Sequence, residues 1–410
     1  MFRQIPCGKA VFGSGRDLLV QGDASRPLAA LEAFQEQVQA VYIDPPFLTG
    51  ERLSRKHAFG EEDWAKGRTS LSLEGFSDRF ESREAFLAFA EGMLRQARSL
   101  LTPTGVMMAH IDWRMSAHIR LLLDRVFGED CFINEVIWAY ESGGRAKRTF
   151  SRKHDTIFLY GKTPDWRLEP LRAGIRRAQK ARNHMKRGVD ENGRGYAAMV
   201  VGGKEYRYYD DELVAPGDVW TDVSHLQQRD PERTGWPTQK PLALLRRLLA
   251  PCVQAGELAA DLCCGSGTTL AAARELGAGA VGVDALRDAV CDSALRLGLR
   301  DLKLVTAPAE PDGAALWGEM RPDGVTTLSG FEADNPAFPP QRNPMDPLDA
   351  WAVGTVTPDG VFRGDTCHCR AFRAPGLPLL SVHPPLEGPP AVWTLDAAGA
   401  PRLFRWEPDA

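Results

Sequence analysis

Two short runs of residues carry most of the chemical information in this 410-residue chain: Asp44-Pro45-Pro46-Phe47 and, far downstream, Asp261-Leu262-Cys263-Cys264-Gly265-Ser266-Gly267-Thr268-Thr269. Each proline ring fixes its own φ and biases the residue before it toward extended backbone. Pro45-Pro46 is therefore a rigid turn whose carbonyls, lacking an adjacent N–H, point outward as free acceptors. A carboxylate at Asp44 and the carbonyl of Pro45, each about a hydrogen-bond length from one amino group, accept both of its hydrogens. The nitrogen lone pair is then drawn out of conjugation and aimed at an electrophile. Phe47 offers a flat surface on which a ring bearing that amine can stack. Ala40-Val41-Tyr42-Ile43 ahead of the turn reads as a short buried strand, which puts Asp44 at a strand's carboxyl end, where open α/β sheets place ligands.

The second run reads as strand, loop and helix. Glu257–Ala260 forms the strand ending in Asp261, Gly265 and Gly267 allow close backbone approach, and Thr268–Leu276 forms the following helix. A further strand, Ala280–Val283, ends in Asp284, about 20 residues past the loop, the spacing at which a carboxylate takes ribose hydroxyls. A dinucleotide site or a plain structural turn shares the glycines. The third glycine of the dinucleotide fingerprint is missing, however, and Asp261 ahead of the loop suits a cationic ligand better than one carrying phosphates. S-adenosylmethionine is cationic.

In these residues the chain resembles the amino-methylating DNA methyltransferases, specifically the permuted β class, in which the catalytic motif precedes the cofactor motif. The resemblance runs over about residues 20 to 300 and includes Thr238-Gln239-Lys240-Pro241, the box that introduces the cofactor half. It implies that Asp44 and the Pro45 carbonyl hold the target amine, with Pro46 completing the turn and Phe47 stacked on the base. It implies S-adenosylmethionine as cofactor. Asp23, beside Gly22, would lie near its adenine, and Asp284 would take its ribose. Gly265, Ser266, Gly267, Thr268 and Thr269 would meet its methionine end, and Asp261, Cys263, Gln239 and Lys240 would complete the pocket. An amine hidden in duplex DNA must be rotated out of the stack at a cost of a few kcal/mol, which an aromatic platform offsets in part. Transfer would be direct, with no covalent enzyme intermediate. An Asp-Pro-Pro turn favours adenine, while the exocyclic amine of cytosine and an RNA substrate stay open as alternatives. Two departures stand out: Cys263 where the family often has phenylalanine, and Trp236-Pro237 in place of His-Pro.

The elements that position these residues alternate strand and helix, which implies a doubly wound, mostly parallel, Rossmann-like sheet with an inserted recognition region. Ser82 caps a helix whose apolar stripe is Phe86, Phe89, Met93, Ala97, Leu100 and Leu101. Pro103 and Gly105 precede a strand at 106–111, Trp113–Phe127 reads as a second helix, and strands follow at 132–138 and 156–160. Residues 51–79 show no sustained periodicity, as in a mobile loop. The expected division is a catalytic half at 1–140, a basic recognition region at 141–235 that contains the last catalytic-half strand, a cofactor half at 236–300, and a small β-rich appendage at 301–410.

Net charge is −4, but its distribution is uneven. Residues 145–194 hold 15 Lys and Arg against 5 Asp and Glu, whereas residues 301–410 hold 8 against 15. The basic set of Arg145, Lys147, Arg148, Arg152, Lys153, Arg172, Arg176, Arg177, Lys180, Arg182, Lys186 and Arg187 is the expected contact for the phosphates of double-stranded DNA. Seventeen of the 29 prolines lie after residue 300 among short β-prone runs. That acidic segment reads either as a partner or homodimer surface or as a packing skin. No metal site is expected, since the eight cysteines show no zinc spacing. Pro251-Cys252 lacks the context of a nucleophilic cysteine. Without a secretory or membrane-spanning stretch, a cytoplasmic location is expected, with a restriction enzyme as a possible partner.

Overall fold

The computed structural model describes residues 1–58, 70–141, 146–176, 185–227, 230–333, 338, 343, 345–370 and 377–407. Its centre is a block of six parallel strands in the order Leu302–Ala309, Asp17–Gln21, Gly279–Asp284, Leu258–Asp261, Val38–Ile43 and Leu101–Ile111. His154–Gly161 and Phe132–Ala139 continue the block in antiparallel fashion at one end.

Alternation along the central strands feeds two apolar layers. Ala40 and Tyr42 pack with the helices Leu242–Leu249, Thr268–Glu275 and Arg287–Arg296. Val38, Val41 and Ile43 pack with the helices Arg83–Leu100 and Ser116–Phe127 on the opposite face. The sheet is therefore doubly wound. Its topological switch lies between Val38–Ile43 and Leu258–Asp261, which pair side by side. Crevices at such points, beyond the carboxyl ends of the strands, are where open α/β sheets bind ligands.

Three details depart from expectation. Residues 51–79 contribute an antiparallel hairpin, Arg52–Ala58 paired with Ser70–Ser77, rather than an irregular loop. The helix expected from Trp113 starts at Ser116, because Asp112 accepts the Arg114 N–H at 2.8 Å and the Met115 N–H donates to the Asp112 carbonyl, so residues 112–115 form a turn. The division expected at residue 300 cuts inside the central sheet, since Leu302–Ala309 pairs in parallel with Asp17–Gln21.

Beyond that strand the chain is built of strands among the described residues: Ala315–Arg321, Val325–Glu332 and Leu380–Val382 form a small separate sheet, and the others extend the main one. Phe362–Cys369 pairs with Cys7–Phe12, and Leu348–Val356, Pro390–Asp396, Pro401–Trp406 and Phe2–Ile5 follow in antiparallel order. Phe12 joins the two parts, with its ring centroid 5.2 Å from that of Trp393, which is fully buried.

Candidate active site

Val38–Ile43 is buried along its whole length, so the turn that follows is anchored in the core. The Asp44 carboxylate accepts from Lys240 Nζ through Oδ2 at 2.5 Å, while its Oδ1 is buried with no hydrogen-bond partner. An unpaired buried carboxylate oxygen costs stability. Since Asp44 lines a cavity that also holds the glycine loop, this atom can accept from a ligand's donor. The Lys240 ammonium also lies 5.1 Å from the Phe47 ring centroid. Asp78, at the foot of the hairpin, accepts from the Leu48 N–H at 2.8 Å, the Thr49 N–H at 3.0 Å and the Thr49 hydroxyl at 2.6 Å. These bonds hold Leu48 at φ +59°, a left-handed conformation unusual for leucine, and so fix the chain as it leaves Phe47.

Behind the turn runs a buried polar chain. The Tyr42 hydroxyl lies 2.8 Å from His110 Nδ1, His110 Nε2 lies 3.2 Å from Asp155 Oδ2, and the Tyr140 hydroxyl donates to Asp155 Oδ1 at 3.1 Å. Burial raises both phenols above their ordinary range, while the His110 hydrogen bond and charge hold the Asp155 carboxyl down against burial. The His110 ring sits 6.0 Å from Phe47 at a 30° tilt and supports it from within.

The glycine loop faces this turn across a cavity of about 400 Å³. Asp261 shapes the loop by accepting the Cys263 N–H at 3.0 Å and the Thr269 hydroxyl at 2.5 Å. Asp284 accepts the Gly265 N–H at 3.0 Å and the Leu286 N–H at 2.9 Å. Gly265 and Gly267 have φ of +48° and +73°. A Cβ at Gly265 would stand 3.0 Å from the Trp236 indole nitrogen, and one at Gly267 would stand 2.8 Å from the Ser293 hydroxyl. Arg296, itself partly buried, donates to the Ser266 carbonyl at 3.3 Å and the Thr268 hydroxyl at 2.9 Å. Burial pushes Asp261 up to about 7 and Asp284 up to about 6.

Of the expected cofactor residues, all but Gly267 line the cavity. The Gln239 side chain accepts from Thr234 and donates to the Glu232 carbonyl, so its amide organises its own loop, and the Lys240 ammonium is bound to Asp44. Asp23 accepts from the Ser25 N–H and hydroxyl. Cys263 Sγ sits 3.5 Å from Met93 Sδ, a soft contact in place of an aromatic wall. Asp44 and Pro46 belong to the lining, whereas Pro45 and Phe47 do not.

Several lining residues were not singled out as site residues from the sequence: Gly75, Phe76 and Ser77 from the hairpin, Phe89 and Met93 from the first long helix, and Trp236. Helical spacing marks Phe89 and Met93 only as core, and the hairpin carries no periodic signal. These apolar walls around four carboxylates, Asp23, Asp44, Asp261 and Asp284, fit a cationic nucleoside-bearing ligand, and the volume falls within the usual range for small-molecule sites.

The basic residues divide into three groups. Arg145, Arg177, Lys180 and Arg182 lie outside the described residues. Lys147, Arg148, Arg152, Arg172, Arg176 and Lys186 are exposed, whereas Lys153 is partly buried. Arg187 is held by both oxygens of Asp210, at 2.7 and 2.5 Å, which neutralises it as a phosphate contact. Arg152 lies 3.7 Å over the ring of Trp113, with Arg114 5.0 Å from the same ring, and Phe150 is 97% exposed. Neither Trp113 nor Arg114 was distinguished by its sequence context. Cys252 is fully buried, and burial pushes its thiol up to about 12. Among the described residues no cluster of metal-ligating side chains occurs, and no helix is long and apolar enough to cross a membrane.

A doubly wound sheet with an acidic Pro-Pro turn and a glycine loop on either side of its switch point defines a Rossmann-like methyltransferase. The chain belongs to the N6/N4 DNA methylase family, whose model, described as DNA methylase, matches residues 38–294. The family's methyl donor, S-adenosylmethionine, is this chain's cofactor. Type II methyltransferase M.KpnI of Klebsiella pneumoniae is 31% identical over 123 residues, 30% of this chain and 26% of that protein. Type II methyltransferase M.EcaI of Enterobacter cloacae is 24% identical over 312 residues, 65% of this chain and 66% of that one. The Mod subunit of the type III restriction-modification enzyme StyLTI of Salmonella typhimurium is 31% identical over 180 residues, 38% and 26% respectively. The matches therefore span less than two thirds of each of these relatives. Among solved structures, PvuII DNA methyltransferase (cytosine-N4-specific) is similar with a TM-score of 0.43 at 14% identity, covering 72% of this chain and 89% of that one. The M1.HpyAVI–SAM complex is similar with a TM-score of 0.38 at 15% identity, covering 68% and 98%.

Proposed function

We propose that this chain methylates the exocyclic amine of adenine in double-stranded DNA by direct transfer onto a base rotated out of the helix. The observation that carries the reading is the buried, unpartnered Oδ1 of Asp44 in the wall of the cavity that also contains the glycine loop. When bound, S-adenosylmethionine supplies a methyl group on a sulfonium, which an amine nitrogen takes without an enzyme nucleophile. Everything else is positioning and electrostatics.

Asp44 Oδ1 accepts one amine hydrogen and takes the proton that the nitrogen sheds. The Pro45 carbonyl accepts the other hydrogen. Phe47, backed by His110, gives the base its stacking surface. Lys240 holds the second Asp44 oxygen, so the carboxylate presents a fixed acceptor rather than a rotating one. Met93, Phe89 and Phe76 exclude water from the reacting atoms. Exposed Lys147, Arg148 and Arg152 contact the DNA backbone. The family relationship supports amine methylation of DNA, and the Asp-Pro-Pro form favours adenine over cytosine.

Asp44→Asn should reduce incorporation of a tritiated methyl group into duplex DNA by about a thousandfold or more while cofactor binding, measured by calorimetry, is retained. Turnover near that of the parent enzyme removes Asp44 from the chemistry. Mass spectrometry of digested product DNA then separates N6-methyladenine from N4-methylcytosine, and an RNA substrate run in parallel tests the remaining alternative.

A further inference from the structure

We propose that the hairpin Arg52–Ala58/Ser70–Ser77, braced by the C-terminal segment, is a fixed wall of the cofactor cavity, and that Arg55 is its positioning residue, held by Asp288 and Asp292. Arg55 is 2% exposed, and a guanidinium so deeply buried is tolerated only when paired. It forms an ion pair with Asp292, and its Nη2 lies 3.8 Å from Asp288 Oδ2. Both acids sit on the Arg287–Arg296 helix at a spacing that presents them together on one face. That helix starts directly after Asp284, Ala285 and Leu286, which line the cavity. The pair therefore joins the hairpin to the cofactor half of the sheet.

The opposite strand of the hairpin carries the wall itself. Gly75 passes so close to its partner that a Cβ there would meet the Leu53 carbonyl at 2.6 Å. Phe76, next in sequence, stacks on Trp236 at 6.5 Å and 17°, and Trp236 in turn abuts Gly265. The Arg55 guanidinium lies 6.0 Å from the same Trp236 ring. One contiguous stack thus runs from the buried ion pair to the glycine loop.

At the hairpin's other contact, Leu71 is buried with Ala397, and Leu73, Phe338 and Ala398 pack around them. The segment after residue 310 thereby acquires a task inside this enzyme: it backs the hairpin so that Gly75, Phe76 and Ser77 stay against the cavity. Neither Arg55 nor the C-terminal segment touches the reacting groups, so their effect falls on cofactor affinity.

The proposal rests on the cavity being the S-adenosylmethionine site, and the test separates the two. S-adenosylhomocysteine binding to the full chain is measured by calorimetry, with hydrogen exchange of residues 70–77 followed in the ligand-free protein. Arg55→Met should weaken binding about tenfold or more and speed exchange in that strand. KM for S-adenosylmethionine should rise far more than kcat falls at saturating cofactor, and Arg55→Lys should recover part of the affinity. Should Arg55→Met fail to fold, Asp292→Asn is the milder variant, with the same expected pattern. Unchanged affinity and unchanged exchange in these variants overturn the proposal. A parent protein that does not bind S-adenosylhomocysteine overturns the cofactor assignment instead, and the exchange of residues 70–77 then decides the role of Arg55 by itself.

Discussion

At the scale of single residues the site is a set of acids kept in different states by their neighbours. Asp44 has a cation on one oxygen and nothing on the other, whereas Asp261 and Asp284 have only neutral donors. Lys240→Met should therefore act on chemistry: kcat should fall about ten- to a hundredfold while S-adenosylmethionine affinity changes less than about threefold. A collapse of cofactor affinity with kcat intact would instead return Lys240 to the role expected from its box. The other two acids predict a pH effect. Burial raises Asp261 to about 7 and Asp284 to about 6 from an ordinary 3.8, so each keeps a proton over a range in which the unfolded chain has lost it. The stability tied to those protons is complete below about pH 4 and is lost as pH rises through 6 to 7. A cationic ligand favours the ionised carboxylates. Binding of S-adenosylmethionine should thus release protons near pH 6.5 and strengthen as pH rises from 6 to 7, then level off. Calorimetry in buffers of different ionisation enthalpy measures this, and binding without proton release there contradicts it. The acids and glycines were legible in the sequence because each motif is local. The Lys240–Asp44 pair was not, because nothing in either segment specifies what folding brings opposite it.

At the scale of elements, legibility followed how locally each one is encoded. Val38–Ile43 is a short apolar run followed by aspartate, Leu258–Asp261 and Gly279–Asp284 are short apolar runs ending in aspartate, and the Arg83–Leu100 helix has a cap and a 3.6-residue stripe. The Arg52–Ala58/Ser70–Ser77 hairpin was missed for a physical reason: at Arg55 its buried position is filled by a cation, so apolar alternation fails where its partners, Asp288 and Asp292, are remote in sequence. The capped helix gives a simple check. Ser82 accepts the Ala85 N–H at 3.1 Å, and the same helix presents Phe89 and Met93 to the cavity. Ser82→Ala should lower stability by about 1 kcal/mol, read from the urea midpoint, with kcat unchanged. A loss below about 0.3 kcal/mol would show that the cap contributes little.

At the scale of the whole molecule, the weakly negative net charge conceals a basic region and an acidic C-terminal one. Replacing Lys147, Arg148 and Arg152 together by alanine should flatten the dependence of log Kd on log salt by about two to three. Arg187→Ala should leave that slope unchanged, because Asp210 already neutralises Arg187. Filter binding or fluorescence anisotropy across a salt series measures both, and an unaltered slope in the triple variant removes these residues from the DNA interface. The C-terminal segment was legible as strands and as acidic, but its continuity with the central sheet depends on Phe12, Phe362 and Trp393 meeting across distant segments, which no local pattern announces. The side-by-side pairing of Val38–Ile43 with Leu258–Asp261 has one more consequence. The two half-sites are stitched together by hydrogen bonds between strands, and the stretch around Gly202-Gly203 that lies between them pairs only within its own small sheet, Lys186–Val189, Gly195–Val201 and Lys204–Tyr209, so that it serves as a tether. Severing that tether at the Gly202-Gly203 hairpin tip and co-expressing the two pieces should regenerate a working enzyme, each fragment bringing what the other lacks.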